Sequence, residues 1–211
     1  GMVTCNTKNL TPEHALYGAH LTHQGRILYD FFAFLHEGKI ILDCHKETLM
    51  AFAKSLHDHK MRFQIDFEDL THDFALYSDP SAQNTAPGKI QHTPEGLVIN
   101  DPRLPNMGVR KITTKPQQNA APLAAYHAHR IRHGVPDAAY DGRPGKTIVS
   151  ELCLEYLGGV DYQQGCYMGQ EMTARTHFRS PPKKRVVAIR YEGNAPPHGA
   201  PIKAGKLPVG E

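Results

Sequence analysis

An α+β fold is what the sequence predicts, on three observations. These are an alternating apolar run over residues 26–35, a helical apolar stripe over residues 46–59, and a second helix bracketed by Pro122 and Gly134. In the first run Ile27, Tyr29, Phe31, Ala33 and Leu35 share one face, while Leu28, Phe32 and Phe34, interrupted by Asp30, share the other. Both faces are apolar, so this strand is expected at the centre of a sheet. Glu37-Gly38 then turns the chain, and residues 39–43 return beside it as a hairpin. Leu49, Phe52, Ala53 and Leu56 follow at helical spacing and mark an amphipathic helix over residues 46–59. Met61, Phe63 and Ile65 alternate, as do Phe74 and Leu76, which predicts two more strands and a β-β-α-β-β unit.

Residues 78–96 carry Pro80, Pro87 and Pro94 among small polar residues and read as a loop or linker. A strand is expected over residues 108–113. A helix follows over residues 121–133, with Pro122 in its first turn and Gly134 just past its end. A short helix is expected over residues 150–157 and a last strand over 186–191, before a tail rich in Gly and Pro. The chain divides on this reading into residues 2–78, residues 79–180, and a closing segment 181–211. No internal repeat is visible.

Forty per cent of the 211 residues are hydrophobic and 21% charged, enough apolar material for a real core. A net charge of +3 is too small to argue for nucleic acid. Local clustering matters more: Arg175, Arg179, Lys183, Lys184, Arg185 and Arg190 precede any acid until Glu192. Such a stretch could hold phosphates or carboxylates, but a solvated strand edge carrying Lys and Arg is the favoured reading. The four cysteines, Cys5, Cys44, Cys153 and Cys166, form no C-x-x-C, against a zinc ribbon or a redox dithiol. With no signal-peptide pattern, the expected compartment is the cytoplasm. Gly1 before Met2 reads as an expression remnant.

Several suggestive patterns fail on inspection. Gly142-Arg143-Pro144-Gly145-Lys146-Thr147 lacks the glycine a phosphate-binding loop needs, since Tyr140 stands in its place. His127, His129 and His133 share a predicted helix, but no H-E-x-x-H and no third ligand accompany them, so a polar face with Arg130 and Arg132 is the reading and no metal is expected. Cys44 and His45 are neighbours on a strand and point to opposite faces.

The segment Gly165-Cys166-Tyr167-Met168-Gly169-Gln170-Glu171 is different. It sets one thiol on a glycine-flanked turn and opens a helix with an amide and a carboxylate. Glycine permits positive φ and close backbone approach, and a Cys near a helix start gains from the dipole's positive end. The plainer alternative is a buried structural Cys, with Glu171 and Arg175 as an ordinary i,i+4 pair.

Extended through Thr173-Ala174-Arg175-Thr176, this segment resembles the K-G-C-Y-x-G-Q-E signature of the YgfZ family, folate-binding relatives of the glycine-cleavage T-protein. Leu21-Thr22-His23-Gln24-Gly25-Arg26-Ile27-Leu28-Tyr29-Asp30-Phe31 is similar to that family's L-T-P-Q-G-K-I-L-x-D-F, and the likeness runs from about Leu21 to Tyr191. Gln164 replaces the signature's Lys, and His23 its Pro. The resemblance implies an aminomethyltransferase-type fold, with antiparallel sheets and packed helices around a central cavity able to take tetrahydrofolate. It also implies that the chain is shortened at both ends, lacking an N-terminal β-rich part and most of a C-terminal β-barrel that begins at residues 181–211.

By the same resemblance, the expected role is a folate-binding accessory protein for iron–sulfur cluster assembly or repair and, through a client enzyme, tRNA modification. Whether it is itself an enzyme stays open. Cys166 would be the reactive or ligating atom, transiently sharing a cluster with a partner. Tyr167, Gln170 and Glu171 would shape its surroundings, Arg175 would orient Glu171, and Glu151 would accept hydrogen bonds from a pterin. The expected partners are cluster-assembly proteins and cluster-dependent clients, with no membrane and no direct nucleic-acid contact. A tetrahydrofolate-dependent aminomethyltransferase is the rival reading, and a ligand-free scaffold the third.

Overall fold

Strand β2 (Ile27–His36) lies between β1 (Leu16–Leu21) and β3 (Lys39–Cys44) in a three-stranded antiparallel sheet. The structure, a computed structural model, describes residues 1–60, 63–180, 182–194, 196–197 and 199–210. The two apolar faces of β2 reach different cores. Phe31 and Ala33 pack with Phe52 and Leu56 of α1 (Leu49–His59), whereas Phe34 joins Ile90, Leu97, Ile99 and Ile112. Phe32 packs against a third cluster that contains Tyr17, Met107, Leu152 and Tyr167. Each fully buried side chain of this size contributes roughly 1.5–3 kcal/mol. Glu37 and Gly38 make the β2–β3 turn with φ of 49° and 76°, the doubly positive pattern that suits a two-residue hairpin.

Strand β1 had no clear sequence signal, because Gly18 and Ala19 dilute its apolar pattern. Gly18 has a packing reason: a Cβ there would sit 2.6 Å from the Cys5 sulfur.

The second sheet is antiparallel, in the order β4 (Ala75–Asp79), β7 (Val109–Thr113), β6 (Gly96–Asn100), β5 (Ile90–Thr93). Four expectations are corrected here. The linker expected over residues 78–96 contains β5, whose Ile90 is 4% exposed and seats the strand in the core. The β-β-α-β-β unit does not close on itself, because β4 pairs with β7 instead of with the hairpin. Phe63 and Ile65 form no strand and are 71% and 42% exposed; Met61 lies outside the described residues. Alternation encodes a face but supplies no neighbour to pair with, and the expected strand over 186–191 is absent for the same reason. Residue 78 falls within β4, and one apolar cluster joins Tyr17 and Leu21 to Met107, Val135 and Tyr167.

Helix α2 (Leu123–Arg132) starts after Pro122 and stops before Gly134, whose φ is 66°. A one-turn helix α3 (Ala138–Asp141) follows. The helix expected over residues 150–157 is instead a tight turn leading into a 3-10 helix over Leu154–Leu157. Helix α4 (Gln170–Phe178) comes next, and a small exposed hairpin of β8 (Ile202–Ala204) and β9 (Leu207–Gly210) closes the chain. Among the described residues no helix is long and apolar enough to cross a membrane.

Charged groups tie the two sheets together. Arg110 on β7 pairs with Asp43 on β3, and its guanidinium lies 3.8 Å from the Phe32 ring centroid. Tyr17 donates to Asp30 at 2.8 Å on the neighbouring strand. Burial and the nearby Asp137 push the Asp30 carboxyl above its usual pKa.

Candidate functional site

Gly169 has φ of 80° and caps the start of α4. A Cβ at this position would meet Thr22 O at 2.7 Å and Gly25 Cα at 2.8 Å. Gly25 mirrors it, with φ of 72° and a Cβ position 2.8 Å from Met172 Cβ. The Thr22–Gly25 turn and the Gly165–Glu171 turn, far apart in sequence, therefore meet backbone to backbone. Gly169→Ala is expected to cost about 1–3 kcal/mol from the left-handed φ alone, before the clash is added. Gly165, with nothing within 4 Å of its Cβ position, is the control: Gly165→Ala should change urea-unfolding stability by less than about 0.5 kcal/mol.

The first residues of the chain hold the loop that carries Cys166. Thr4, fully buried, donates through its hydroxyl to Gly159 O at 2.5 Å and accepts from Ala19 N–H at 2.8 Å. Asp161 N–H donates to Thr4 O at 2.9 Å, and the Asp161 carboxylate accepts from the N–H groups of Gln163 and Gln164. Gln164, in the position of the signature lysine, turns its amide to the carbonyls of Val3 and Thr4. It therefore acts as a neutral tether to the N-terminal segment.

On this frame the Cys166 thiol is exposed. The other sulfurs differ: Cys5 is buried, and burial pushes its thiol up to about 11. Cys44 is half-buried and also pushed to about 11, chiefly by burial and then by Asp43 and Asp30. Cys153 is half-buried, 3.8 Å from the Arg185 guanidinium.

The remaining expected site residues do not gather around that sulfur as a binding pocket. Tyr167 turns inward, 6% exposed in the core, and burial pushes its phenol up to about 12. Gln170 is half-buried in the first turn of α4, where its N–H donates to Tyr167 O at 3.2 Å. Glu171 is exposed in the first turn of α4. The expected Glu171–Arg175 pairing is corrected: no ion pair among the described residues joins them, and the Arg175 guanidinium folds back to 3.3 Å from the Met172 sulfur. Glu151 closes its own turn by accepting from Ile148 N–H at 3.0 Å, with Lys184 Nζ 3.7 Å away on its other oxygen.

Two concave surfaces lie away from the residues expected to line a central cavity. A groove of about 390 Å³ lies on the second sheet, lined by Thr93, Glu95, Leu97, Lys111, Thr113 and Gln117. A second cleft, between Leu28 and residues 142–147, has no room for a water. Neither includes any of the expected site residues. Among the described residues no three His, Cys, Asp or Glu side chains are grouped to hold a metal ion. The helix α2 histidines are separately engaged, His127 with Arg130 and His129 with Asn106 O.

One cluster went unnoticed in the sequence. Glu155, with a side chain 7% exposed, accepts from Tyr162 at 3.0 Å and draws His177 and Arg185 to 3.6 Å each. The Tyr162 ring stacks on His177 at 4.0 Å, so the far end of α4 is clamped to the loop that leads to Cys166. No spacing rule connects residues 155, 162, 177 and 185; only the fold brings them together.

No family profile matches the chain. Its sequence is 34% identical over 202 residues to the mitochondrial iron–sulfur cluster assembly factor IBA57 of Mus musculus, covering 88% of this chain and 56% of that protein. It is 32% identical over 197 residues to the Homo sapiens protein of the same name, covering 87% and 55%. The IBA57 homolog of Mycosarcoma maydis is 31% identical over 201 residues, covering 88% and 49%. The chain thus spans about half the length of the curated relatives it matches. These relatives are named as mitochondrial, which overturns the cytoplasmic expectation.

Proposed function

We propose that this chain, whose homologues are iron–sulfur cluster assembly factors, serves cluster assembly as an accessory protein that lends one cysteine ligand, Cys166, to a cluster in transit. The observation that carries the reading is an exposed thiol on a loop tethered through Gln164 and Asp161 to the buried Thr4 segment, among four cysteines of which two have thiols pushed up to about 11 by burial. Clusters normally take four thiolate ligands. One sulfur therefore holds a cluster only jointly, with the other ligands coming from the donor or the recipient. The cluster is cargo on this reading, and cluster-dependent enzymes, those of tRNA modification included, are its clients. The α+β framework is read as the aminomethyltransferase type.

The geometry gives tetrahydrofolate no comparable support. A pterin needs a carboxylate free to accept two N–H groups inside a walled cavity. Glu151 spends one oxygen on Ile148 N–H, and the 390 Å³ groove lies elsewhere. The residues do not fit the group, so no step is derived through it, and no observation favours the aminomethyltransferase alternative.

The test supplies a [2Fe–2S] cluster as its glutathione complex to the intact chain and follows visible absorbance after gel filtration. Cluster colour eluting with the protein is expected, since glutathione thiols complete the ligand set. Protein that elutes colourless under conditions where a known cluster carrier retains the chromophore sinks the proposal. Calorimetry with 5-formyl-tetrahydrofolate is expected to show no saturable heat.

A further inference from the structure

The segment that carries Cys166 is closed on itself by one carboxylate. Tyr162, ahead of the thiol, donates its hydroxyl to Glu155 Oε2 at 3.0 Å. His177, near the end of α4, brings its Nδ1 to 3.6 Å from the same oxygen. The two rings are stacked, with centroids 4.0 Å apart and planes 19° from parallel, and Phe178 meets the Tyr162 ring edge-on at 5.6 Å. Arg185 Nη2 lies 3.6 Å from Oε1, the other carboxylate oxygen. The Glu155 side chain is 7% exposed, so these groups stand where water would otherwise be. Burial, reinforced by Glu155 itself, holds the Tyr162 phenol protonated well above its usual pKa, which fixes the direction of that bond.

Helix α4 spans nine residues, too few to persist by itself, so contacts at its ends decide where it lies. At its start Gly169 abuts Thr22 and Gly25. At its far end His177 lies against Tyr162 and Glu155. Cys166 stands in the turn between Tyr162 and α4, so its sulfur goes where those two anchors put it. Asp161 and Gln164 already tie the near side of the turn to Thr4. The far side is left to Glu155. None of the hydrogen bonds or ion pairs of Glu155 among the described residues reaches residues 165–168, so its influence on the thiol passes through the helix.

We infer that Glu155 is a positioning residue for Cys166: by closing the segment between Tyr162 and His177 it holds α4, and with it the cysteine turn, in the geometry that presents the thiol to a shared cluster. This rests on the ligand role proposed for Cys166, but the fixing of the turn can be measured with no cluster present.

The test compares the full chain with Glu155→Gln and Glu155→Ala, by amide exchange without cluster and by retention of the glutathione-supplied [2Fe–2S] cluster. Gln keeps the size and an oxygen for Tyr162 but drops the charge facing His177 and Arg185; Ala drops both. Exchange is followed through α4 and at Gln163 and Gln164, whose N–H groups donate to the Asp161 carboxylate. It is expected to quicken about tenfold in Glu155→Ala and less in Glu155→Gln, with the β2 amides unchanged. Retention should fall about tenfold in Glu155→Ala, the lower end of what an orienting partner is worth to a metal site. The cluster that stays bound should show altered visible circular dichroism, which lost stability alone would not produce. If Glu155→Ala fails to fold, Glu155→Gln carries the same readings. Three results overturn the inference: unaltered exchange around the turn, quickening as large in β2 as in α4, or weaker retention with unchanged dichroism. Failure of the ligand role looks different, because cluster colour then persists in Cys166→Ala while exchange in the Glu155 variants still quickens around the turn.

Discussion

Cys166→Ala is expected to leave the unfolding midpoint unchanged and to lower retention of the glutathione-supplied cluster by at least about tenfold. Losing a group that merely hydrogen-bonds to a ligand already costs a metal site ~10–100-fold in affinity, and this substitution removes a ligand itself. The fold is indifferent because the side chain is exposed and the loop is held through its neighbours, which Gln164, Asp161 and Thr4 fix by hydrogen bonds that do not involve the thiol. The other cysteines sharpen the test. Cys44→Ala should retain the cluster, since burial holds that thiol near 11 and leaves it protonated at neutral pH. Cys5→Ala should lose stability without losing cluster retention, because its sulfur fills the space beside Gly18. Glu171→Ala removes an exposed carboxylate at a helix start, worth ~0.3–1 kcal/mol, and should leave most of the retention in place. Equal cluster colour in wild type and Cys166→Ala would remove the basis for assigning this sulfur any role.

What the sequence made legible follows from what periodicity encodes. β2, α1 and α2 were readable because ten or more residues repeat one pattern and because Pro122 and Gly134 mark boundaries. β1, β5 and β6 were not, since each is short and carries Gly or polar residues, and its burial is decided by strands distant in sequence. The opposite error has the same root: residues 63–65 and 186–191 look like strands, but among the described residues no strand pairs with them. The Cys166 turn was visible as chemistry, and its contact with the Thr22–Gly25 turn explains why glycines stand at 25 and 169. The roles expected of Glu151 and Arg175 were not recoverable, because their partners, Ile148 and Met172, are chosen by local backbone geometry that residue type alone does not reveal.

Arg103→Leu is expected to be the most destabilising single change, costing about 3–5 kcal/mol at pH 7 by leaving a buried carboxylate without its partner. The Arg103 and Asp101 side chains are 2% and 1% exposed. They meet through two side-chain bonds, Nε to Oδ1 at 3.0 Å and Nη2 to Oδ2 at 2.7 Å. Arg103 also donates to Tyr126 at 3.0 Å, and its guanidinium lies 4.8 Å from the Phe32 ring centroid. Burial alone would raise the Asp101 pKa, but the charge and hydrogen bonds of Arg103 outweigh it and hold the carboxyl below its usual 3.8. The pair therefore contributes stability that is present above pH 3.8 and lost as the pH falls through the lower folded value. In Arg103→Leu burial, the largest influence, is opposed only by the residue 103 N–H, which still donates to Oδ1 at 3.0 Å, and by the charge of Arg110, so the Asp101 carboxyl moves up from its wild-type value and the variant's deficit grows as the carboxyl ionises with rising pH. Urea unfolding at two pH values checks this: the deficit should be largest at pH 7 and shrink toward pH 4. Asp101→Asn in the Arg103→Leu background should recover part of it. A deficit independent of pH would mean that lost packing against Phe32, and not an abandoned charge, sets the cost. The damage should also reach the cysteine loop. Tyr17, with the Arg103 guanidinium 5.7 Å from its ring, belongs to the same apolar cluster as Tyr167, so amide exchange at Met168 should quicken even though Arg103 touches no residue of that loop.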